Sequence, residues 1–220
     1  MTLSKTDADT DGLAAATGKG QLMGDLYTVR DDNEATERLS TLTERLAFKS
    51  RFVLVFGEID HAIARTACER LIALAQDSDA PITMLISSPG GHVESGDAIH
   101  DLVRFVRAPV TTVGTGWVAS AGTHVFLAAP KDRRVCLPNT RFMIHQPSGG
   151  AGGQSTDIAI QAREILRTRE RIAREIAAQT GMPIERVRLD MERDYWMSAD
   201  EAIEYGIVSR IVESHADLTR

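Results

Sequence analysis

The first 35 residues mix Thr, Asp, Gly and Ala with neither a strand period nor a helical one, and predict a flexible polar arm. A helical spacing begins at Ala35 and runs to Phe48 through Leu39, Leu42 and Leu46. The pattern then changes sharply. Phe52–Phe56 is a short apolar, β-branched and aromatic run stopped by Gly57, which predicts a buried strand. HAIARTACERLIALAQ sets Ile63, Ala67, Leu71 and Leu74 on one helical face. ITMLI, ended by SSPGG, predicts a second strand, and the amphipathic stretch after it is read through Ala98, Leu102 and Phe105. PVTTVG predicts another strand, leading to Ser120. Strand and helix alternating in this way predict right-handed βαβ units on a largely parallel sheet. The longest predicted helix runs from Thr156 to Thr180. It carries Ile158, Ala162, Ile165, Ile172 and Ile176 on one stripe, is capped by Ser155 or Thr156, and ends at Gly181 and Pro183. Ser198-Ala-Asp-Glu201 has the spacing of a capping box for a short helix that stops before Gly206, and GIVSRIV predicts a last strand.

Composition narrows the class without naming a function. Hydrophobic residues make up 43% and charged residues 25%, as in an ordinary soluble globular domain. The net charge is −6 and the basic residues are scattered, which argues against nucleic-acid binding as the main role. Cys68 and Cys136 stand far apart, so neither a disulfide framework nor a CxxC metal spacing exists; both read as small buried hydrophobes in a reducing compartment. The amino-terminal residues lack a signal-peptide pattern and no apolar run reaches membrane-spanning length, so a cytoplasmic location is expected.

Four segments can carry chemistry. In GTGWVASAGTHVFLAA, Ser120 follows a strand and precedes an apolar helical stretch, where helix-terminal amides can stabilise a developing oxyanion. SPGG at Ser88–Gly91 leaves backbone amides exposed past a strand. RFMIHQP puts His145 at the end of an apolar strand, a fixed and partly open position that suits a general base. MERDYW sets Asp194 beside Tyr195 and Trp196, where partial burial would suit the orienting acid of a triad. Each alone is more simply a structural feature: a cap, a Pro-Gly turn, a structural histidine, a surface charge cluster.

Taken together and in this order, SPGG, WVASAG, RFMIHQP and MERDYW strongly resemble the Clp protease proteolytic subunit, ClpP. The resemblance runs from about Phe52 to Val212 and is close in CLPNTRFMIHQP, QSTDIAIQAREIL and the stretch from MERD to EAIEYGIV. It implies an α/β, ClpP/crotonase-like fold of repeated βαβ units with a projecting handle helix and strand. The implied organisation is an arm at 1–35, a peptidase domain at 36–215 with its handle at about 146–180, and a tail at 216–220. Carried over residue by residue, the nucleophile falls on Ser120, the base on His145 and the acid on Asp194. The oxyanion-hole amides fall on Gly91 and Ala121, and ring contacts on Glu192 and Arg193. The resemblance further implies a serine endopeptidase that cleaves unfolded chains inside two stacked heptameric rings. It needs no cofactor of its own, since ATP is used by a partner Clp-type ATPase. Where the family has tyrosines that dock this ATPase, this chain has Thr83 and Leu85. A Ser-Lys peptidase would need a lysine base, and Lys131 is the only lysine after Ser120. An acyl-CoA enzyme of crotonase type would leave the Ser-His-Asp set unexplained. An inactive ring subunit would be expected to have a broken triad.

Overall fold

The computed structural model describes residues 41–150 and 152–219; the arm predicted at 1–35 lies outside them. Residues 41–45 are the described part of the Met1–Arg45 unit and are helical; helix α1 is described over 41–49. The second compact unit, Leu46–Arg220, holds the elements that follow.

Strands β1 (Phe52–Phe56), β2 (Ile82–Ser88), β3 (Val110–Ala119) and β4 (Arg134–Cys136) run parallel and adjacent, with β7 (Arg210–Ile211) beyond β4. Helix α2 (His61–Asp77) joins β1 to β2, and α3 (Val93–Phe105) joins β2 to β3. These are the βαβ units that the alternating pattern predicts. Beyond the segment paired with β4, β3 pairs instead with β5 (Arg141–Ile144), which in turn pairs antiparallel with β6 (Tyr195–Met197). The remaining helices are α4 (Ala121–Phe126), α5 (Ser155–Thr180), α6 (Ile184–Asp190) and α7 (Ala199–Tyr205).

Alternation sorts β2 cleanly: Ile82, Met84, Ile86 and Ser88 are buried while Thr83, Leu85 and Ser87 are half-buried. Against this face pack Ala67, Leu71 and Leu74 of α2, as their spacing predicts. Helix α3 departs from expectation. Its buried stripe is Ser95, Gly96, Ile99, His100 and Val103, whereas Ala98 is exposed and Phe105 is 82% exposed. Hydrophobicity alone favoured the phenylalanine, but close packing selects small residues: a Cβ on Gly96 would lie 3.2 Å from the Ala121 Cβ.

Helix α5 buries only its second half, through Ala173, Ile176 and Thr180; Ile158, Ile160 and Leu166 are exposed. Its N-cap is Gln154 without a side-chain cap bond, so Ser155 and Thr156 fall inside the helix rather than capping it. Gly181 ends it in the left-handed conformation, as expected. The fully buried Arg134 donates from Nη2 to the Gln179 carbonyl (2.8 Å), setting a cation at this helix end, and burial pushes its pKa down to about 10. Residues 145–150, expected to form a handle strand, make no regular ladder; Pro147 lacks a donor and Gly149 and Gly150 have no side chain to pack. GIVSRIV yields only the short strand β7. Cys136 is buried and its thiol is pushed up to about 12, while Cys68 is half-buried.

The capping box of α7 forms as its spacing predicts, and Gly206 closes the helix at φ 87°. A Cβ there would lie 2.4 Å from the Thr180 carbonyl oxygen. Gly206→Ala should therefore destabilise the fold by about 3 kcal/mol, combining positive-φ strain with a backbone clash. Denaturant titration would reveal this, and a loss below about 0.5 kcal/mol would contradict the packing.

Candidate active site

The site lies where neighbouring strand ends meet, at the carboxyl end of the parallel strands. In the parallel pair β3·β5, Ala119 lies opposite Met143, so Ser120 leaves the sheet as its amide donates to the Met143 carbonyl (2.9 Å). In the antiparallel pair β5·β6, Ile144 lies opposite Tyr195. One step further along this ladder, the opposed positions are His145 and Asp194. Strand register thus juxtaposes residues 49 apart in the chain.

The side chains complete one line of contacts. Ser120 Oγ lies 2.8 Å from His145 Nε2, and His145 Nδ1 lies 3.0 Å from Asp194 Oδ1. A carboxylate can only accept, so Nδ1 carries the proton and Nε2 is left to accept from the serine hydroxyl. Ser120 has φ 55° and ψ −122°, a strained backbone for a non-glycine residue at a strand-to-helix turn. Thr123 Oγ1 holds that turn by donating to the Val118 and Met143 carbonyls, both at 2.8 Å. The His145 side chain is 25% exposed and Asp194 62%. Asp194 is therefore open to solvent, whereas its aromatic neighbours in the sequence led us to expect partial burial. Lys131 lies exposed in the 3-10 turn Lys131–Arg133; the base at hydrogen-bonding distance from Ser120 is His145.

The SPGG loop runs beside the nucleophile. Ile59 clamps it by donating from its amide to the Gly90 carbonyl (2.7 Å) and accepting from the His92 amide (2.8 Å). Gly91 sits at φ 144°, and a Cβ there would meet the Ile59 carbonyl oxygen at 2.4 Å. Ala121 heads α4, whose first amides have no intrahelical acceptor. Gly90 was not singled out by sequence, yet a Cβ on it would lie 2.5 Å from the Ser120 Cβ. Its signal was the doubled glycine of the motif. Gln146 was missed as well: its amide donates to the Met191 carbonyl (2.7 Å) and its Nε2 to the Glu192 carbonyl (3.0 Å), lacing the His145 strand to the Asp194 loop. No periodicity marks such a tie. Glu192 Oε1 is 3.5 Å from Arg169 of α5, and Arg193 is exposed.

A cleft opens beside Ser120, walled by Val93, Ile144, Pro147, Ile172 and Ile176 and reaching His124 of α4. Helix α5 is held over it by Arg171, which pairs with Asp97 at 2.9 and 2.6 Å, and by Glu175, which accepts from Arg104 at 2.9 Å. Burial would raise the Asp97 pKa, but the His124 and Arg171 contacts outweigh it and bring it to about 2, so Asp97 is ionised at neutral pH.

A buttressed serine, a histidine aligned by a carboxylate and glycine-loop amides beside them make up a serine-hydrolase constellation at the end of β3, where β3 pairs with β5 rather than β4. The comparisons with known proteins give this constellation its family. The Clp protease family model matches residues 34–215. The chain is 52% identical over 189 residues to the ATP-dependent Clp protease proteolytic subunit 3 of Rhizobium johnstonii, covering 86% of this chain and 97% of that protein. It is 53% identical over 193 residues to proteolytic subunit 2 of Gluconobacter oxydans, covering 87% and 86%. Among solved structures, ClpP1 from Listeria monocytogenes superposes with a TM-score of 0.73 at 47% identity, covering 80% of this chain and 99% of that one. The chain belongs to the Clp protease family. It has the ClpP fold and is a serine-type endopeptidase.

Proposed function

We propose that this protein cleaves peptide bonds by acyl transfer through Ser120, with His145 as general base and Asp194 as its orienting acid. The observation that carries the assignment is the continuous hydrogen-bonded line from Ser120 Oγ through His145 to Asp194. His145 Nε2 takes the hydroxyl proton as Oγ attacks the peptide carbonyl, then returns it to the leaving amine. The Gly91 and Ala121 amides stabilise the oxyanion, each worth about 3 kcal/mol in comparable sites. Water then releases the acyl group by the reverse path. None of these steps needs a metal or an organic cofactor.

The proposed organisation is a peptidase domain at 36–215, including a handle at about 146–180, with an arm at 1–35 and a tail at 216–220. Exposed Ile158, Ile160 and Leu166 on α5, with Trp117 on β3, support assembly, because apolar surface of this kind is usually covered by a neighbour. Two stacked heptameric rings in the cytoplasm, with Glu192 and Arg193 at the contact between rings, fit that surface and the family. No helix among the described residues is long and apolar enough to cross a membrane. The relatives' names specify ATP-dependent proteases, which supports a Clp-type ATPase as the partner that consumes ATP and feeds unfolded chains. Thr83 and Leu85 stand where the family has its docking tyrosines, so the docking surface for that partner diverges here. Leu85 packs against the satellite cluster of Val113, Val135 and Val212.

A fluorophosphonate should label Ser120, located by peptide mass spectrometry; labelling elsewhere, or none in a preparation that hydrolyses peptides, would reject the assignment. Asp194→Asn should lower kcat/KM by about 10²–10³-fold, because the amide no longer selects the Nδ1–H tautomer. The effect is set below that of a buried triad acid because Asp194 is open to water. Unchanged steady-state kinetics in this variant would remove Asp194 from the mechanism.

A further inference from the structure

Asp97 has no step in the acyl-transfer scheme, yet it joins three helices around the nucleophile. It lies on α3, one turn after Val93, a wall of the cleft beside Ser120. Its Oδ1 is 2.9 Å from Nε2 of His124, which lies on α4 one turn after Ser120. Its two carboxylate oxygens accept from Arg171 Nη1 and Nη2 at 2.9 and 2.6 Å. Arg171 immediately precedes Ile172, which with Ile176 is the wall that α5 contributes. One carboxylate therefore links the elements that carry the cleft's walls and the nucleophile.

Arg171 stands where α5 leaves the body of the protein. From Ala173 onward the helix is anchored by burial, through Ala173, Ile176 and Thr180, whereas Ile158, Ile160 and Leu166 before it are exposed. The ties of the preceding turn reach other elements: Glu170 accepts from Arg188 of α6 (2.6 Å), and Arg169 lies 3.5 Å from Glu192. Glu175 ties α5 to α3 again through Arg104 (2.9 Å), but one turn further on, within the buried segment. At the level of Ile172, the spacing of α5 from α3 thus follows the Asp97 bridge. A bidentate guanidinium–carboxylate pair fixes angle as well as distance, and the Asp97 side chain is 24% exposed, so water and salt screen it less than an open surface pair.

We infer that Asp97 is a positioning residue that acts through Arg171: the bridge holds Ile172 of α5 against Val93 of α3, and so sets the size of side chain that the cleft accepts on the acyl side of the scissile bond. This rests on the acyl-transfer reading, in which the cleft beside Ser120 receives that side chain. The walls are apolar, from Val93, Ile144, Pro147, Ile172 and Ile176, and an apolar pocket discriminates by the volume its walls leave. With the bridge intact, a leucine side chain is favoured over the bulkier tryptophan. With the bridge cut, α5 is free to swing out at Ile172, and the larger side chain gains.

The test compares fluorogenic peptides identical except for leucine or tryptophan at the acyl-side position, using the full chain. Only hydrolysis that disappears in Ser120→Ala is counted, so failure of the catalytic assignment is seen separately. The readout is the leucine-to-tryptophan ratio of kcat/KM, which a general loss of fold or of catalysis would not move, because it lowers both alike. The unaltered protein should favour leucine, and Asp97→Asn, which keeps the shape but loses the charge, should lower the ratio about tenfold. Arg171→Gln should lower it equally, and the double variant no further than either alone. Arg171→Lys, which keeps the charge, should lower it less than Arg171→Gln. A fall of less than threefold in Asp97→Asn overturns the proposal, as do a preference for tryptophan in the unaltered protein and additive falls in the double variant. Should Asp97→Asn fail to fold, Arg171→Gln decides by the same threshold, since the Arg171 side chain is half exposed.

Discussion

Ser120→Ala is expected to lower kcat for peptide hydrolysis about a million-fold, to the detection limit, while leaving the protein folded and able to bind peptide. The size of the effect follows from how the residues depend on one another. His145 Nε2, 2.8 Å from Ser120 Oγ, has no other function in the scheme than to move the serine proton. Without the hydroxyl, the base, the acid and the oxyanion amides have no nucleophile to serve. What remains is the modest acceleration that binding and amides give to water attack, about 10³–10⁴ over the uncatalysed rate. Fold should be retained because the substitution removes one partly buried oxygen and leaves the backbone hydrogen bond from the residue-120 N–H to the Met143 carbonyl untouched. Robust turnover by pure Ser120→Ala protein would sink the assignment, whatever the family match.

Gly90→Ala should be the next most damaging change, though position 90 does no chemistry. Gly90 has φ 100°, and an added Cβ would lie 2.5 Å from the Ser120 Cβ, 2.9 Å from the Ala119 carbonyl oxygen and 3.0 Å from Ser120 Oγ. Real atoms do not approach so closely, so something must move. If the loop shifts, the neighbouring Gly91 amide leaves the proposed oxyanion site, a loss of about 10²–10³-fold. If Ser120 shifts, Oγ leaves the line to His145, and a displacement of 1 Å costs about 10²-fold. A fall in kcat of about 10³–10⁴-fold is expected, with a stability loss of only about 1–3 kcal/mol. Less than a tenfold fall in kcat in the folded variant would show that the loop is not packed against the nucleophile.

Sequence and tertiary structure contributed different parts of this picture. Local rules worked where a feature depends on neighbours in the chain. The ITMLI run ended by SSPGG marked β2, the S-A-D-E spacing marked the cap of α7, and Gly181 marked the end of α5. They failed where packing chooses the partner. Phe105 is exposed in α3 while Ser95 and Gly96 are buried, because α4 needs close approach there. The strands β4 and β6 are three residues long, too short for any period to declare itself.

The proposed catalytic residues divide along the same line. Taken singly, Ser120, His145 and Asp194 look structural, and only the order of four short motifs pointed to a peptidase. What the sequence by itself determined was the alternation of elements, the motifs and the candidates they carry. Hydrophobic period, turn chemistry and motif order all act along the chain. Only the tertiary structure decided that Ala119 pairs with Met143 and Ile144 with Tyr195, and so that three side chains from separate strands meet in one hydrogen-bonded line. It also decided that Gly90 must lack a side chain and that Ile172 and Ile176 of α5 line the cleft beside Ser120. Strand register is set by side chains fitting across a sheet, a contest between segments far apart in the chain that no local pattern records.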